Sequence, residues 1–364
     1  MIRRSAWMSL VLVLTIGLAA CGGGTGGTTG GATSVPAAGG TASAPVASGG
    51  PTTIVLGAYT TPREAYGKLI PIFKDQWKQQ TGQDITFQES YQGSGAQSRA
   101  IVEGFEADIA ALSLEADINR ISDAGLIKND WRAQPYNGMV SSSVVVFAVR
   151  KGNPKGIKDW ADLAQPGLEV LTPDPKTSGG AQWNILSLYG AAKRGFVEGV
   201  AKDDDAAATE FLKSVLKNVI VFDKGARESI TNFEKGVGDV AITYENEALV
   251  GQASGQDYEF VIPRSSILIE NPVALIDTYV DKHGNRKLVE AFVAFLFTPE
   301  AQRVFAETGG LRSLDKTVAE ATSASYPPLE DQFQISYFGG WKEATPNYFG
   351  DNGIYTKAIA EIQQ

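Results

Sequence analysis

Cysteine and histidine are nearly missing from these 364 residues: Cys21 and His283 occur once each. One cysteine cannot build an internal disulfide framework, and one cysteine with one histidine cannot supply the clustered ligands of a transition-metal site. No GxxxxGK[ST] run is present to cradle nucleotide phosphates, and no Ser-His-Asp set assembles around the lone histidine. His283 lies in the polar turn Asp281-Lys282-His283-Gly284-Asn285, where a solvated side chain is expected. With 41 acids, composition leaves paired-carboxylate chemistry open, but nothing positive supports catalysis. Basic charge is also in deficit, 32 Lys+Arg against 41 Asp+Glu for a net −9. That balance argues against a nucleic-acid partner. It also means that an anionic ligand has to be held by local features against a repelling overall field.

Long apolar runs are lacking as well. The longest, residues 7–20 (WMSLVLVLTIGLAA), falls short of the roughly 20 residues that a spanning helix needs. It follows Arg3 and Arg4 and ends in Leu18-Ala19-Ala20-Cys21, the arrangement of an export signal. The ending resembles the lipobox of bacterial lipoproteins, which implies that residues 1–20 are removed and that Cys21 is lipidated. Removal of Arg3 and Arg4 takes the net charge to −11. Residues 22–52 carry no charged or aromatic side chain. Such a stretch cannot bury enough apolar surface to offset its ordering entropy, so residues 21–52 are expected to be a tether with a reach of about 30 Å.

Residues 53 onward, roughly 310 of them, exceed what one hydrophobic core serves, so two lobes are expected. Strand-like runs at 53–56, 85–89, 109–112, 144–149, 219–222 and 240–243 each precede a helix-like run. The clearest helix carries Tyr66, Leu69, Ile70, Phe73 and Trp77 on one stripe. This alternation predicts an α/β fold of mostly parallel sheets flanked by helices, with ligands at the carboxyl ends of the strands.

A strand, then small or hydroxyl residues, then a helix start recurs four times. The four are Ala58-Tyr59-Thr60-Thr61-Pro62-Arg63-Glu64, Tyr91-Gln92-Gly93-Ser94-Gly95-Ala96-Gln97, Pro173-Asp174-Pro175-Lys176-Thr177-Ser178-Gly179-Gly180-Ala181 and Asp223-Lys224-Gly225-Ala226-Arg227-Glu228-Ser229. In the first, Thr61 is placed as N-cap, Pro62 as the first helical residue and Glu64 as the capping-box partner. Glycine and serine at such points let backbone approach a ligand closely. The unbonded N–H groups of a first helical turn, with about half a positive charge from the helix dipole, can accept an anion without lysine or arginine. Most such junctions merely cap helices; four together, with no catalytic set, point equally to an anion-binding cleft.

At these junctions the sequence resembles the periplasmic sulfate-binding proteins of sulfate/thiosulfate ABC importers. The likeness runs over residues 54–355. Its markers include Tyr59 with Pro62-Arg63-Glu64, Gly93-Ser94-Gly95 with Gln97, Gly104 with Glu106-Ala107-Asp108, residues 149–155, residues 173–180, Gly225-Ala226-Arg227, Gly238-Asp239-Val240, Glu245-Asn246-Glu247-Ala248 and Phe338-Gly339-Gly340-Trp341. The resemblance implies a two-lobed periplasmic-binding-protein fold of type II with a hinge of crossover strands, set near 144–150 and 258–263. The lobes would be residues 53–145 plus 259–364, and 146–258. It also implies sulfate capture without a cofactor, metal or catalysis, by a monomer that serves ABC permease subunits outside the cytoplasmic membrane. The implied donors are the backbone N–H groups of Thr60, Ser94, Gly179, Gly180 and Ala226 and the hydroxyl of Ser178.

Two positions depart from the family pattern. Thr60 replaces an aspartate that contributes only its main chain, and Tyr244 replaces a tryptophan. An indole N–H only donates, whereas a phenol donates or accepts. A donor-only site favours fully ionised sulfate over protonated phosphate, so Tyr244 bears directly on selectivity. Thiosulfate, molybdate or tungstate, and phosphate are the alternative ligands, with Asp174, Asp223 and Glu245 near enough in sequence to serve a phosphate proton. A lipid-anchored sulfate or phosphate ester hydrolase and a purely structural surface protein are the readings from other classes.

Overall fold

The computed structural model describes residues 52–363. The signal expected at 1–20, the lipidation of Cys21 and the tether, apart from Thr52, lie outside the described residues.

Ten strands order the body: β1 (Thr53–Tyr59), β2 (Thr86–Gln92), β3 (Ile109–Ala111), β4 (Met139–Arg150), β5 (Val170–Pro173), β6 (Val219–Asp223), β7 (Val240–Tyr244), β8 (Tyr258–Val261), β9 (Ser265–Leu275) and β10 (Asp331–Phe333). Every strand run expected from sequence is found; most are extended or shifted by a few residues, and β3 ends one residue early at Ala111. The main helices are α1 (Arg63–Thr81), α2 (Ser94–Val102), α3 (Glu115–Asp123), α4 (Gly179–Lys193), α5 (Asp205–Leu216), α6 (Ala226–Glu234), α7 (Glu245–Ala253), α8 (Asp277–His283), α9 (Arg286–Leu296), α10 (Pro299–Glu307), α11 (Lys316–Thr322), α12 (Trp341–Ala344) and α13 (Ile354–Ile362).

Parallel pairing dominates at the two ends of the strand path β2-β1-β3-β9-β4-β7-β5-β6. β1 runs parallel to β2 and β3, and β5 runs parallel to β6 and β7. Between them, β4 and β9 pair antiparallel, from Met139 with Pro272 to Val144 with Leu268. β4 is buried along its length until Arg150, as a central strand covered on both faces should be. Its second half turns to β7 and β8, while the far end of β9 turns to β3. These two long strands are the crossovers. The second therefore lies at Ser265–Leu275 and not near 258–263, because Tyr258–Val261 forms β8 on the flank of β4.

Apolar side chains collect in two large cores, which gives the two-lobed form. One gathers β1 with α1, α9 and α10 through Leu56, Leu69, Phe73, Phe292 and Phe305. The other surrounds α4 and α5. The chain's last residues join this second core, although they were grouped with 53–145 on sequence. Trp341 meets Trp183 edge-on at 4.7 Å, and Tyr348 meets Tyr189 at 5.2 Å. Phe333 lies over Gly190, where a Cβ would come within 2.5 Å of its ring. A buried apolar stripe on residues 331–363 and a glycine gap on α4 decide this docking, and neither has a local sequence signature.

His283 is not the solvated loop residue expected. It ends α8 and faces Asp108 Oδ1 at 2.8 Å and Glu106 Oε2 at 3.3 Å, with its side chain 26% exposed. Lys282 also reaches Glu106. Burial alone would lower the imidazole pKa, but the hydrogen bonds and charges of Asp108 and Glu106 outweigh it and raise the value above 6.5. The protonated ring therefore adds stability below pH 6.5, and that contribution is lost as pH rises through the elevated folded value. His283→Gln should melt below the wild type at about pH 5.5, with the gap narrowing by about pH 9. A gap independent of pH would contradict this pairing.

Candidate functional site

Each expected junction begins where a strand of one lobe ends. In the first, α1 starts at Arg63 after Pro62, with no side-chain cap. The capping box does not form because Glu64 reaches across to Arg227 on α6, with contacts of 2.5 and 2.9 Å. Arg227 also donates to the Thr61 carbonyl at 3.3 Å and lies 2.8 Å from Glu247 Oε2. One guanidinium is thus neutralised by two carboxylates from two lobes. Burial opposes the ionised form of Glu64, but Arg227 more than compensates and holds its pKa below the usual value. Glu247, fully buried, is pushed up by desolvation despite the same guanidinium.

The second junction meets the third and fourth through backbone. A Cβ on Gly93 would lie 2.6 Å from the Thr177 carbonyl oxygen and 2.8 Å from that of Lys224. Gly93 has φ −58°, so close approach and not backbone conformation demands glycine here. Ala96 N–H donates to the same Thr177 carbonyl at 3.1 Å, and a Cβ on Gly225 would sit 3.7 Å from Gly93 Cα. Asp174 N–H donates to the Asp223 carbonyl at 2.8 Å, tying the third loop to the fourth.

The donors expected on α4, α6 and β7 converge around Gly180. A Cβ there would meet Ala226 Cβ at 3.3 Å, Ser178 Oγ at 3.4 Å and Tyr244 Cε1 at 3.5 Å. Ser178 N–H is bonded to the Asp174 carbonyl at 2.9 Å, so its hydroxyl is the group left to donate. Gly179, Gly180, Ser94 and Ala226 occupy first-turn positions, whose N–H groups have no partner within their own helices. The amino ends of α2, α4 and α6, with their dipoles, share this corner of the cleft. Thr60 lies beside it, between Tyr59, packed in one cluster with Leu114 and Tyr244, and Thr61, held by Arg227.

Sequence reasoning missed the residue that joins these parts. Ser113, after β3, donates its N–H to Ser94 Oγ at 2.9 Å. Its carbonyl accepts from Trp183 Nε1 at 2.9 Å and Asn271 Nδ2 at 3.0 Å. Its hydroxyl is 2.7 Å from the Tyr244 hydroxyl. Ser94 Oγ in turn donates to Asp117 Oδ2 at 2.6 Å, so its side chain is occupied and only its main chain is available. The signal was present in the run Ala111-Leu112-Ser113-Leu114-Glu115, which repeats the strand–hydroxyl–helix grammar of the other junctions. Tyr244 is buried, and desolvation drives its phenol far above the ordinary range, so it stays protonated; the bond to Ser113 only softens that shift.

Two of the three carboxylates that could serve a phosphate proton, Glu245 and Asp174, are engaged elsewhere. Glu245, fully buried, holds Arg312 through two contacts of 2.7 and 2.8 Å. Asp174 accepts from Lys176 N–H at 2.8 Å. Asp223 is the exception: its Oδ1 accepts from Asn232 on α6 at 2.6 Å, but its Oδ2 is buried without a partner, and burial raises its pKa.

Residues 54–310 match the family model described as bacterial extracellular solute-binding protein. A sulfate-binding protein of Synechococcus elongatus is 42% identical over 355 residues, covering 97% of this chain and 95% of the relative. A thiosulfate-binding protein of Escherichia coli is 35% identical, covering 85% of this chain and 91% of its own. Among solved structures, the sulfate-binding protein SubI from Mycobacterium tuberculosis H37Rv superposes with a TM-score of 0.75 at 35% identity, covering 82% of this chain and 99% of that one.

Gly93→Ala tests the closure directly. The added methyl meets two backbone carbonyls of the opposite lobe, so the closed form should lose about 1–3 kcal/mol. Small-angle scattering should show a larger radius of gyration than for the wild type; identical curves would mean that Gly93 does not set the approach.

Proposed function

The chain belongs to the sulfate-binding family of bacterial extracellular solute-binding proteins, and from that premise we propose that it captures sulfate between its lobes and delivers it to an ABC importer. It is a binding protein for transport and not an enzyme. The observation that carries the ligand reading is the convergence of α2, α4 and α6 on Gly180 and Gly93, with the nearby Arg227 already neutralised by Glu64 and Glu247. Sulfate would be held by backbone N–H groups of Thr60, Ser94, Gly179, Gly180 and Ala226, the Ser178 hydroxyl and a hydroxyl proton of the Tyr244–Ser113 pair.

Hydrogen bonds to a charged group contribute about 1.5–3 kcal/mol each, so seven donors supply roughly 10–20 kcal/mol. That is the scale needed to offset taking a dianion out of water.

The hydroxyl pair supplies one donor whichever way it is oriented. When Ser113 donates to Tyr244, the phenol proton is free for the ligand; in the reverse case the serine proton is free. In that state the pair does the work of one indole N–H. It differs in one respect: when Tyr244 donates to Ser113, the phenol oxygen is left to accept, which admits a protonated oxyanion. Thiosulfate is the second reading, favoured by the 35% identical relative that bears that name.

Residues 1–20 would direct export, Cys21 would carry the lipid anchor and residues 21–52 would tether the body outside the cytoplasmic membrane as a monomer. One lobe would comprise residues 53–145 with the β9–α11 region. The other would comprise 146–258, with the C-terminal residues 331–363 docked on it through Trp341 and Tyr348.

Calorimetry with sulfate, thiosulfate, molybdate and phosphate should rank sulfate or thiosulfate first, and sulfate should raise the melting temperature where chloride at equal ionic strength does not. Equal effects of sulfate and chloride would refute a specific cleft. Tyr244→Trp with Ser113→Ala, which makes room for the indole, should improve discrimination against phosphate by about tenfold at about pH 6. Poorer discrimination would overturn the role given to the hydroxyl pair.

A further inference from the structure

Beside the junctions, on the solvent side of Thr177, lies a cavity of about 420 Å³. Arg99, Arg120 and Lys176 line it with Thr177, Gln182 and Thr345. Three cations gather around one recess in a chain whose net charge is −9. Arg120 is partly neutralised by Asp117 at 2.6 Å. Arg99 and Lys176 have no carboxylate partner among the described residues. Two polar atoms of the lining, Gln182 Oε1 and Thr345 Oγ1, are buried and unpartnered.

The recess adjoins the binding corner. A Cβ on Gly95 would lie 3.5 Å from Arg99 Nη1 and 3.3 Å from the Thr177 carbonyl, and Thr177 is followed directly by Ser178 and Gly179. Its walls come from α2 and α3 on one side and from residues 175–182 and the C-terminal residues on the other, so it straddles the lobe boundary.

We propose that this recess is an outer capture site for a divalent tetrahedral oxyanion, where Arg99 and Lys176 hold the hydrated ion before it passes to the helix N-termini. This rests on the oxyanion reading of the cleft. The inner site uses neutral donors and works only after desolvation, so it has little reach into solution. Two cations without a carboxylate partner beside that corner act over about 8 Å at physiological salt and offset the repelling field locally. The division of labour is clear in rate terms: the cations govern arrival, and the buried donors govern departure.

Stopped-flow mixing of the full chain with sodium sulfate, read through tryptophan emission, separates the two. Trp183 is suited to this because its indole N–H is bonded to the Ser113 carbonyl in the cleft. At about 20 mM ionic strength, Arg99→Gln combined with Lys176→Gln should slow association about three- to tenfold and leave dissociation unchanged. The difference should fall below about twofold at about 0.5 M, where such charges are screened. Arg99→Lys combined with Lys176→Arg should keep the wild-type rate. Association unchanged at low salt, or an effect equal at both salts or confined to dissociation, would overturn the outer site while leaving the inner one intact. Absence of any sulfate response in the wild-type chain would instead refute the oxyanion reading on which it rests.

Discussion

Ser113 is the point from which the geometry of the cleft is set. Its N–H, carbonyl and hydroxyl are bonded to Ser94, to Trp183 and Asn271, and to Tyr244. These partners sit at the start of α2, inside α4, on crossover β9 and at the end of β7. A one-atom error at Ser113 therefore moves four elements, and a buried polar network of this kind stabilises one arrangement only when every member is satisfied. Trp183 is the most exacting of them, because an indole N–H donates along one direction only. It carries the second lobe's core onto the first lobe's backbone.

Charge is handled by the opposite device. Arg227, which reaches the first junction, is shared between Glu64 and Glu247, so the lobes are latched by an ion group that presents no net cation to the cleft. A cation in direct contact with the bound ion would strengthen the hold on any anion, monovalent ones included, and would slow release. Oriented N–H groups instead reward an ion with many acceptor oxygens and no proton of its own. The cost is that the donors must be desolvated to be effective, which requires the close packing at Gly93 against backbone and at Gly179 and Gly180 against neighbouring side chains.

Local grammar made the strand–helix alternation and the four junctions legible, because hydrophobic period and glycine placement are properties of short segments. It failed where a long-range partner overrode the local rule. Glu64 has the spacing of a capping box, yet Arg227, 163 residues away, takes its carboxylate. The same limit hid Ser113, whose partners lie 19, 70, 131 and 158 residues away. Residues 331–363 read as an extension of the first lobe because β9 returns there, but Phe333, Trp341 and Tyr348 find their cavity on α4. His283 lay in a polar turn by composition, and only the fold brings Asp108 and Glu106 to its ring.

The two departures from the family pattern have unequal consequences for the same reason. At Thr60 the resemblance implies a main-chain donor, and a side-chain change leaves the N–H where it was. At Tyr244 it implies a side-chain donor, so the substitution changes the chemistry itself. The structure compensates in a way that a single-site comparison would miss, since the Ser113 hydroxyl stands 2.7 Å from the phenol and the two share their protons. Burial keeps that phenol protonated at any physiological pH, so the pair never becomes an anion facing an anion. What it gains over an indole is the ability to reverse. On the proposed reading of the cleft, its selectivity would depend on the orientation of two hydroxyl protons rather than on any charged group.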